Sequence, residues 1–221
     1  NKTLSYTDKV FCWGKYDYNL NIKLFPKYKK KFIITGNPRY DLLKEKFSSE
    51  FIKKKSKKKK IVIISSLMVY AIKNHPLANI SSLNSKKVKD YLIDRFDYKK
   101  LISDKYLKLI DNLSKSFKDL LIEIWIHPKE SLQKWKTIIP QNKNIKFVDN
   151  KKFLSSSIND IIYIHNGSLM ALEALIKKKF VVSFQPFQSK FNNTLPDKLS
   201  KKVSSENEII LLLRKILKKK N

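Results

Sequence analysis

Residues 61–66 read Ile61-Val62-Ile63-Ile64-Ser65-Ser66. Four consecutive β-branched apolar residues leave no polar face, so this strand is expected to be buried on both sides, as strands of parallel sheets are. The two serines end it. Working outward, further strands are expected at 121–126, 145–148, 161–164 and 180–184, each closed by polar or turn-forming residues. Helical spacing fills the intervals. Over 88–117, Tyr106, Leu107, Ile110, Leu113 and Phe117 form an apolar stripe. Shorter helices are expected over 130–137, 152–157 and 169–176, and a closing helix over 206–217. Alternation of strand and helix predicts an α/β fold, a Rossmann-like parallel sheet with helices on both faces. The stretch 72–85 lacks periodicity and is expected to be a long loop.

Towards the start of the chain, 10–13 reads as a strand turned by Gly14. A second strand over 31–35 is closed by Gly36-Asn37-Pro38, and a helix is expected over 40–51. The run 53–60 is almost wholly lysine and reads as a solvated linker. Residues 1–57 are therefore expected to be the end of a preceding α/β domain with an interdomain crossover, and residues 58–221 a second, complete domain. The chain has no initiator Met and reads as a fragment whose N-terminal part is missing.

Of 221 residues, 42% are hydrophobic and 12% aromatic, enough for a packed core, which excludes global disorder. The formal charge is +29. Arg39, Arg95 and Arg214 are the only arginines, and the rest of the positive charge is lysine. Base and phosphate readers lean on the bidentate arginine fork, so nucleic acid is not the favoured partner. Lys/Asn/Ile bias is the preferred origin of the charge, and anionic lipid headgroups are a partner compatible with it. Cys12 stands alone, so a disulfide framework and a cysteine metal site are excluded and a cytoplasmic location is favoured. No apolar run reaches the roughly 18 residues needed to span a bilayer.

In open parallel sheets, ligands bind beyond the carboxyl ends of the strands. The residues there are Ser65-Ser66, His127-Pro128, Asp149, His165-Asn166-Gly167-Ser168 and Gln185. Gly167-Ser168 is expected to open a helix, with Ser168 at or near its N-cap and backbone N–H groups directed at a phosphate. An ordinary Ser cap with no ligand is the competing reading. Glu173, among apolar neighbours, would need a partner, either a ribose hydroxyl pair or one of the lysines. Pro128 fixes the backbone beside His127, whose imidazole could bond a phosphate oxygen or a neighbouring loop. No HExxH, Walker, GxGxxG, DxD or Gly-x-Ser-x-Gly motif occurs, and the histidines have no metal-ligand spacing. His75-Pro76 lies in the irregular stretch and is set aside.

Three segments then line up in a familiar order. Thr35-Gly36-Asn37-Pro38-Arg39-Tyr40-Asp41 resembles the crossover segment of bacterial polysaccharide and teichoic-acid-type transferases. His127-Pro128-Lys129-Glu130, with Trp135 beyond, is similar to the His-Pro-Ser-Glu segment of surface carbohydrate biosynthesis proteins. His165-Asn166-Gly167-Ser168, Glu173-Ala174 and the strand to Phe184 and Pro186 resemble their third block. Lys129, Leu169 and Lys178-Lys179-Phe180 depart from the usual pattern. The resemblance extends to capsule-type Kdo transferases, CDP-glycerol glycerophosphotransferases and, more distantly, sialyltransferases. It implies the C-terminal half of a GT-B fold and a glycosyltransferase of surface polysaccharide biosynthesis. Such an enzyme would take a nucleotide-sugar donor, with CMP preferred, and a glycan or lipid-linked acceptor.

The resemblance further implies no cofactor and no metal; the expected location is cytoplasmic, with peripheral attachment at the inner face of the cytoplasmic membrane compatible with the charge. It implicates His127, Pro128, His165, Asn166, Gly167, Ser168 and Glu173 in holding the nucleotide, and Gly36, Pro38, Arg39 and Asp41 in the crossover. It names no general base. A UDP-sugar 2-epimerase-like or glycerophosphotransferase-like enzyme, and a non-catalytic basic module for RNA or membrane, remain the alternatives.

Overall fold

The structure is a computed structural model that describes residues 2–43, 58–66, 68–139, 142–149, 160–192 and 194–218. The chain divides into two compact units, Asn1–Ser48 and Ser49–Asn221. The division falls outside the described residues, as do most of the lysine linker and the helix expected over 152–157.

In the first unit, β1 (Val10–Cys12) and β2 (Phe32–Ile34) pair in parallel, with Cys12 opposite Ile34. Helix α1 (Lys2–Tyr6) precedes β1, and α2 (Lys15–Leu24) and a 3-10 turn (Pro26–Lys31) join the strands. Gly14 takes the N-cap position of α2. Gly36 has φ 77°, the left-handed region that glycine enters without a Cβ penalty. Asn37 then caps α3 (Pro38–Asp41) by accepting from the Arg39 N–H at 3.1 Å, and Pro38 fills the first turn. The Thr-Gly-Asn-Pro-Arg-Tyr-Asp segment is thus a strand-to-helix turn. The helix expected over 40–51 begins earlier, at Pro38, because the Asn cap and Pro set its start. Residues 44–51 lie outside the description.

The second unit is built on six parallel strands: β3 (Lys60–Ile64), β4 (Leu121–Ile126), β5 (Ile145–Asp149), β6 (Asp160–His165), β7 (Val181–Phe184) and β8 (Lys201–Val203). Their order across the sheet is β5-β4-β3-β6-β7-β8. The chain steps outward from β3 to one edge, returns to the centre, and steps from β6 to the other. The order therefore reverses between β3 and β6, which is the topological switch point of a Rossmann-like sheet. All residues of β6 and the last four of β3 are buried, as the apolar runs predict.

Alternate side chains serve the two faces. Ile61, Ile63, Ile122, Ile124, Ile162 and Ile164 share a core with α4 (Lys86–Ser116), Trp135 of α5 (Leu132–Ile138) and Ile209 and Leu213 of α8 (Glu206–Lys218). Val62, Ile64, Trp125 and Tyr163 pack against Ala171 and Ala174 of α6 (Met170–Ile176) on the other face. Burying each large aliphatic side chain contributes about 1.5–3 kcal/mol, so the central strands set the register firmly.

Helix α4 runs 31 residues, with Ser85 accepting from the Val88 N–H as its N-cap. Its buried stripe holds Tyr98, Ile102, Tyr106, Ile110 and Leu113. Three local expectations change. The helix expected over 130–137 starts at Leu132, because Ser131 caps it and the Glu130 carboxylate is used in the loop before. The loop 72–85 contains a 3-10 turn, Ile80–Ser82. Helix α7 (Leu195–Leu199) and edge strand β8 follow the Pro186 loop. Only Val203 of β8 is buried, so an apolar run could not announce it. Among the described residues, no helix is long and apolar enough to cross a membrane.

Candidate functional site

All six strands run in one direction, so the loops after β3, β4, β6 and β7 meet at one edge of the sheet. At the switch point, Ser65-Ser66 after β3 faces His165-Asn166-Gly167-Ser168 at the end of β6. His127 follows the neighbouring strand β4.

The β3 and β4 loops are tied by one carboxylate. Glu130 is buried at 2% exposure. Its Oε1 accepts from Ser65 Oγ at 2.6 Å and Met68 N at 2.6 Å. Its Oε2 accepts from Trp135 Nε1 at 2.8 Å and His127 N at 3.2 Å. Burial pushes the carboxyl up from its ordinary value, and the four donors oppose that push. The Glu130 N–H bonds back to His127 O at 2.8 Å, closing a turn that Pro128 is shaped for. The Lys129 N–H donates to His127 Nδ1 at 3.1 Å. That nitrogen is an acceptor, so in the neutral ring the proton sits on Nε2. Burial, then Lys129 and Lys99, hold the His127 pKa below its usual value. His127 is thus a neutral, half-buried donor beside the switch point.

The β6 loop is tied from the other side. Asp197, 1% exposed, accepts from Gly167 N at 3.0 Å, Ser183 Oγ at 2.7 Å and Thr194 Oγ1 at 2.6 Å. Thr194 and Asp197 form a capping box on α7. Gly167 has φ 71°, and a Cβ there would stand 3.4 Å from Thr194 Cγ2. Asn166, 3% exposed, donates to Phe184 O at 3.0 Å and to Tyr98 Oη at 3.2 Å. Its Oδ1 accepts from Lys99 Nζ at 3.1 Å, and Lys99 also reaches Ser66 Oγ at 3.3 Å. Burial, reinforced by Arg95, brings the Lys99 pKa down to about 8, against the pull of Asp197 and Glu130. Beneath Lys99 lies a cavity of about 10 Å³ lined by Ser66, Asn166 and Tyr106.

The candidates drawn from sequence therefore separate. Ser66, His127 and Asn166 stand around the switch point. His165 is fully buried, its Nε2 at 2.8 Å from Ser200 Oγ, and burial brings its pKa down to about 4. It is a neutral support under the loop. Ser168 does not cap α6: Leu169 holds the N-cap position without a side-chain bond, and the Gly167 N–H is spent on Asp197 rather than directed outward. Glu173 is buried in α6, and its charge acts on Lys177. Gln185 donates to Ser183 Oγ. Asp149 ends β5, and its side chain is outside the description. His75 packs on the Phe96 ring of α4. Gly36, Pro38, Arg39 and Asp41 belong to the first unit.

Sequence reasoning missed Lys99 and Asp197. Lys99 borders the buried stripe of α4, three residues before Ile102, a place where a solvated lysine is not expected. Asp197 was signalled by Thr194-Leu195-Pro196-Asp197, a capping box with proline in the first turn.

No family model matches the chain, and no curated protein matches it. Solved structures do. The wall teichoic acid polymerase TagF, in a variant soaked with CDPG, superposes with a TM-score of 0.59 at 16% identity, over 99% of this chain and 49% of that one. The UDP-GlcNAc 2-epimerase of Methanocaldococcus jannaschii matches at 0.52 and 15%, over 96% of this chain and 56% of that one. Its complex with UDP-GlcNAc and UDP matches at 0.53 and 16%, over 96% and 54%. The fold, a six-stranded parallel sheet flanked by helices, is an α/β fold shared with these GT-B proteins. The chain spans about half the length of the solved structures it matches. The strand order of this chain puts its switch point between β3 and β6, where Ser66, Lys99, His127 and Asn166 stand.

Proposed function

We propose that this chain is the donor-binding half of a GT-B glycosyltransferase of surface polysaccharide assembly, and that it holds a nucleotide-activated sugar at the β3–β6 switch point. The observation that carries the reading is the convergence of Ser66, Lys99, His127 and Asn166 on that edge. Ser66 and His127 are neutral hydrogen-bonding groups and Lys99 is a cation, the set that suits a phosphate and its flanking hydroxyls, and Asn166, its N–H groups spent on Phe184 and Tyr98, positions Lys99. Glu130 and Asp197 hold the loops from behind, so donors are in place before a ligand arrives. In transfer, negative charge grows on the departing phosphate. The His127 Nε2–H is a donor that strengthens as that charge develops, and no bound metal is invoked.

A CMP-linked donor is the reading we prefer. The epimerase fold match, solved with UDP-GlcNAc and UDP, keeps a UDP-linked substrate as the second reading. A formal charge of +29 fits peripheral attachment to anionic lipid on the side of the membrane where activated sugars are made. The deciding experiment is a thermal-shift panel of CMP, CDP, UMP, UDP and GDP, with and without EDTA. Stabilisation by one nucleotide family, unaffected by EDTA, supports the proposal and names the base. No stabilisation by any nucleotide, with salt-steep RNA binding instead, refutes it.

A further inference from the structure

Two lysines flank strand β3, and the contrast between them is informative. At its start, Lys60 Nζ sits 2.9 Å from Glu123 Oε1, and both side chains are largely buried. That cation carries its own counter-charge. At the opposite end, Lys99 Nζ hydrogen-bonds, among the described residues, to two neutral oxygens, Asn166 Oδ1 and Ser66 Oγ. Among the described residues, no carboxylate lies within ion-pair distance of it.

The carboxylates whose fields reach it, Asp197 and Glu130, are already committed. Glu130 serves four donors, and Asp197 holds Gly167, Ser183 and Thr194. Turning either towards Lys99 would strand buried N–H groups. A partly desolvated cation without a counter-ion is costly, and such an arrangement persists where a ligand supplies the charge.

We propose that Lys99 is the cationic seat for a phosphate group in the switch-point site, held in place by Asn166 and Ser66. The proposal rests on the nucleotide reading above and assigns it the residue that neutralises the ligand. The shared chemistry is a phosphate or diphosphate anion, which a nucleotide or free pyrophosphate could supply.

The test is calorimetric titration of the 221-residue chain at 0.15 M salt with CDP, UDP and inorganic pyrophosphate, comparing wild type with Lys99→Met, Lys99→Arg and, as a charge-matched control on the exposed side of α4, Lys100→Met. Lys99→Met is expected to bind these anions on the order of 10- to 100-fold more weakly. Lys99→Arg should stay within a few-fold of wild type, and Lys100→Met should be unchanged. The ligand-free melting temperature of Lys99→Met should match or exceed that of wild type.

In the wild-type chain, pyrophosphate should protect Lys99 from acetylation, read by mass spectrometry. This arm decides the matter even if Lys99→Met fails to fold. Equal affinity in Lys99→Met, an equal loss in Lys100→Met, or no protection overturns the assignment. Nucleotide binding that survives Lys99→Met leaves the donor reading standing and sinks Lys99. Lys99-dependent pyrophosphate binding with no response to nucleotides does the reverse. No binding of either anion by wild type sinks both.

Discussion

Replacing Glu130 by Gln changes one atom and should cost far more than a surface substitution. All four partners of the carboxylate are donors: Ser65 Oγ, Met68 N, Trp135 Nε1 and His127 N. A glutamine offers one acceptor oxygen and one NH2. In its better orientation the oxygen keeps Trp135 and His127, and the NH2 faces Ser65 and Met68. The Ser65 hydroxyl can rotate and accept, but the Met68 N–H, 2.6 Å from the same position, meets another donor.

One orphaned buried N–H costs about 1–3 kcal/mol, and the surviving bonds lose their charge assistance. Relief of a buried charge offsets part of this. The expected loss is about 2–4 kcal/mol, or roughly 4–16 °C in melting temperature for a chain of this size. Urea unfolding followed by circular dichroism measures it, and Trp135 fluorescence reports the broken indole bond locally. Because His127 N is one of the four donors, nucleotide affinity should fall together with stability. A Glu130→Gln protein within 0.5 kcal/mol of wild type would refute the view that this carboxylate holds the two loops.

Tyr106 Oη is buried without a hydrogen-bond partner among the described residues. Tyr106→Phe should therefore hold or raise the melting temperature, by about 2–4 °C per kcal/mol gained, and a marked drop in a thermal melt would show that the hydroxyl is satisfied. Gly167→Ala forces a Cβ into a left-handed position beside Thr194 and should cost about 1–2 kcal/mol; a neutral effect in chemical denaturation would contradict the geometry of the β6 loop. His165 has a folded pKa near 4, below its unfolded value. Its contribution is present above the unfolded pKa of about 6.5 and lost as pH falls through the folded one. Stability should decline between those values in wild type, and the decline should be shallower in His165→Gln.

The fold was largely legible because its central strands are buried on both faces. Uninterrupted runs such as Ile61-Val62-Ile63-Ile64 and Ile161-Ile162-Tyr163-Ile164 fit a strand buried on both faces, and β4, β5 and β7 are legible as apolar runs broken by one polar residue each, Glu123, Lys146 and Ser183. Strand β8 did not, since two of its three residues are exposed lysines on an edge. The site was legible as a place more than as a set of groups. Strand ends could be read along the chain, which located His127 and Asn166. Lys99 comes from the middle of a helix and reaches the edge through a long side chain, so its place beside the buried stripe of α4 is the one local sign that sets it apart from the other lysines. Ser168 misled because a Gly-Ser pair before a helix looks like a cap. In the structure the Gly167 N–H is satisfied by Asp197, thirty residues on.

The chain has three histidines, His75, His127 and His165, which makes their imidazole NMR signals a direct probe of where a ligand sits. The decisive measurement is a titration of the isotope-labelled chain with the nucleotide that the thermal-shift panel selects. The account predicts that the His127 Nε2 resonance moves with saturation, that His165 shifts little because it lies behind the loop, and that His75 does not move. Saturable nucleotide binding that leaves His127 unperturbed, or binding that moves only His75, would contradict a ligand site at the β3–β6 switch point.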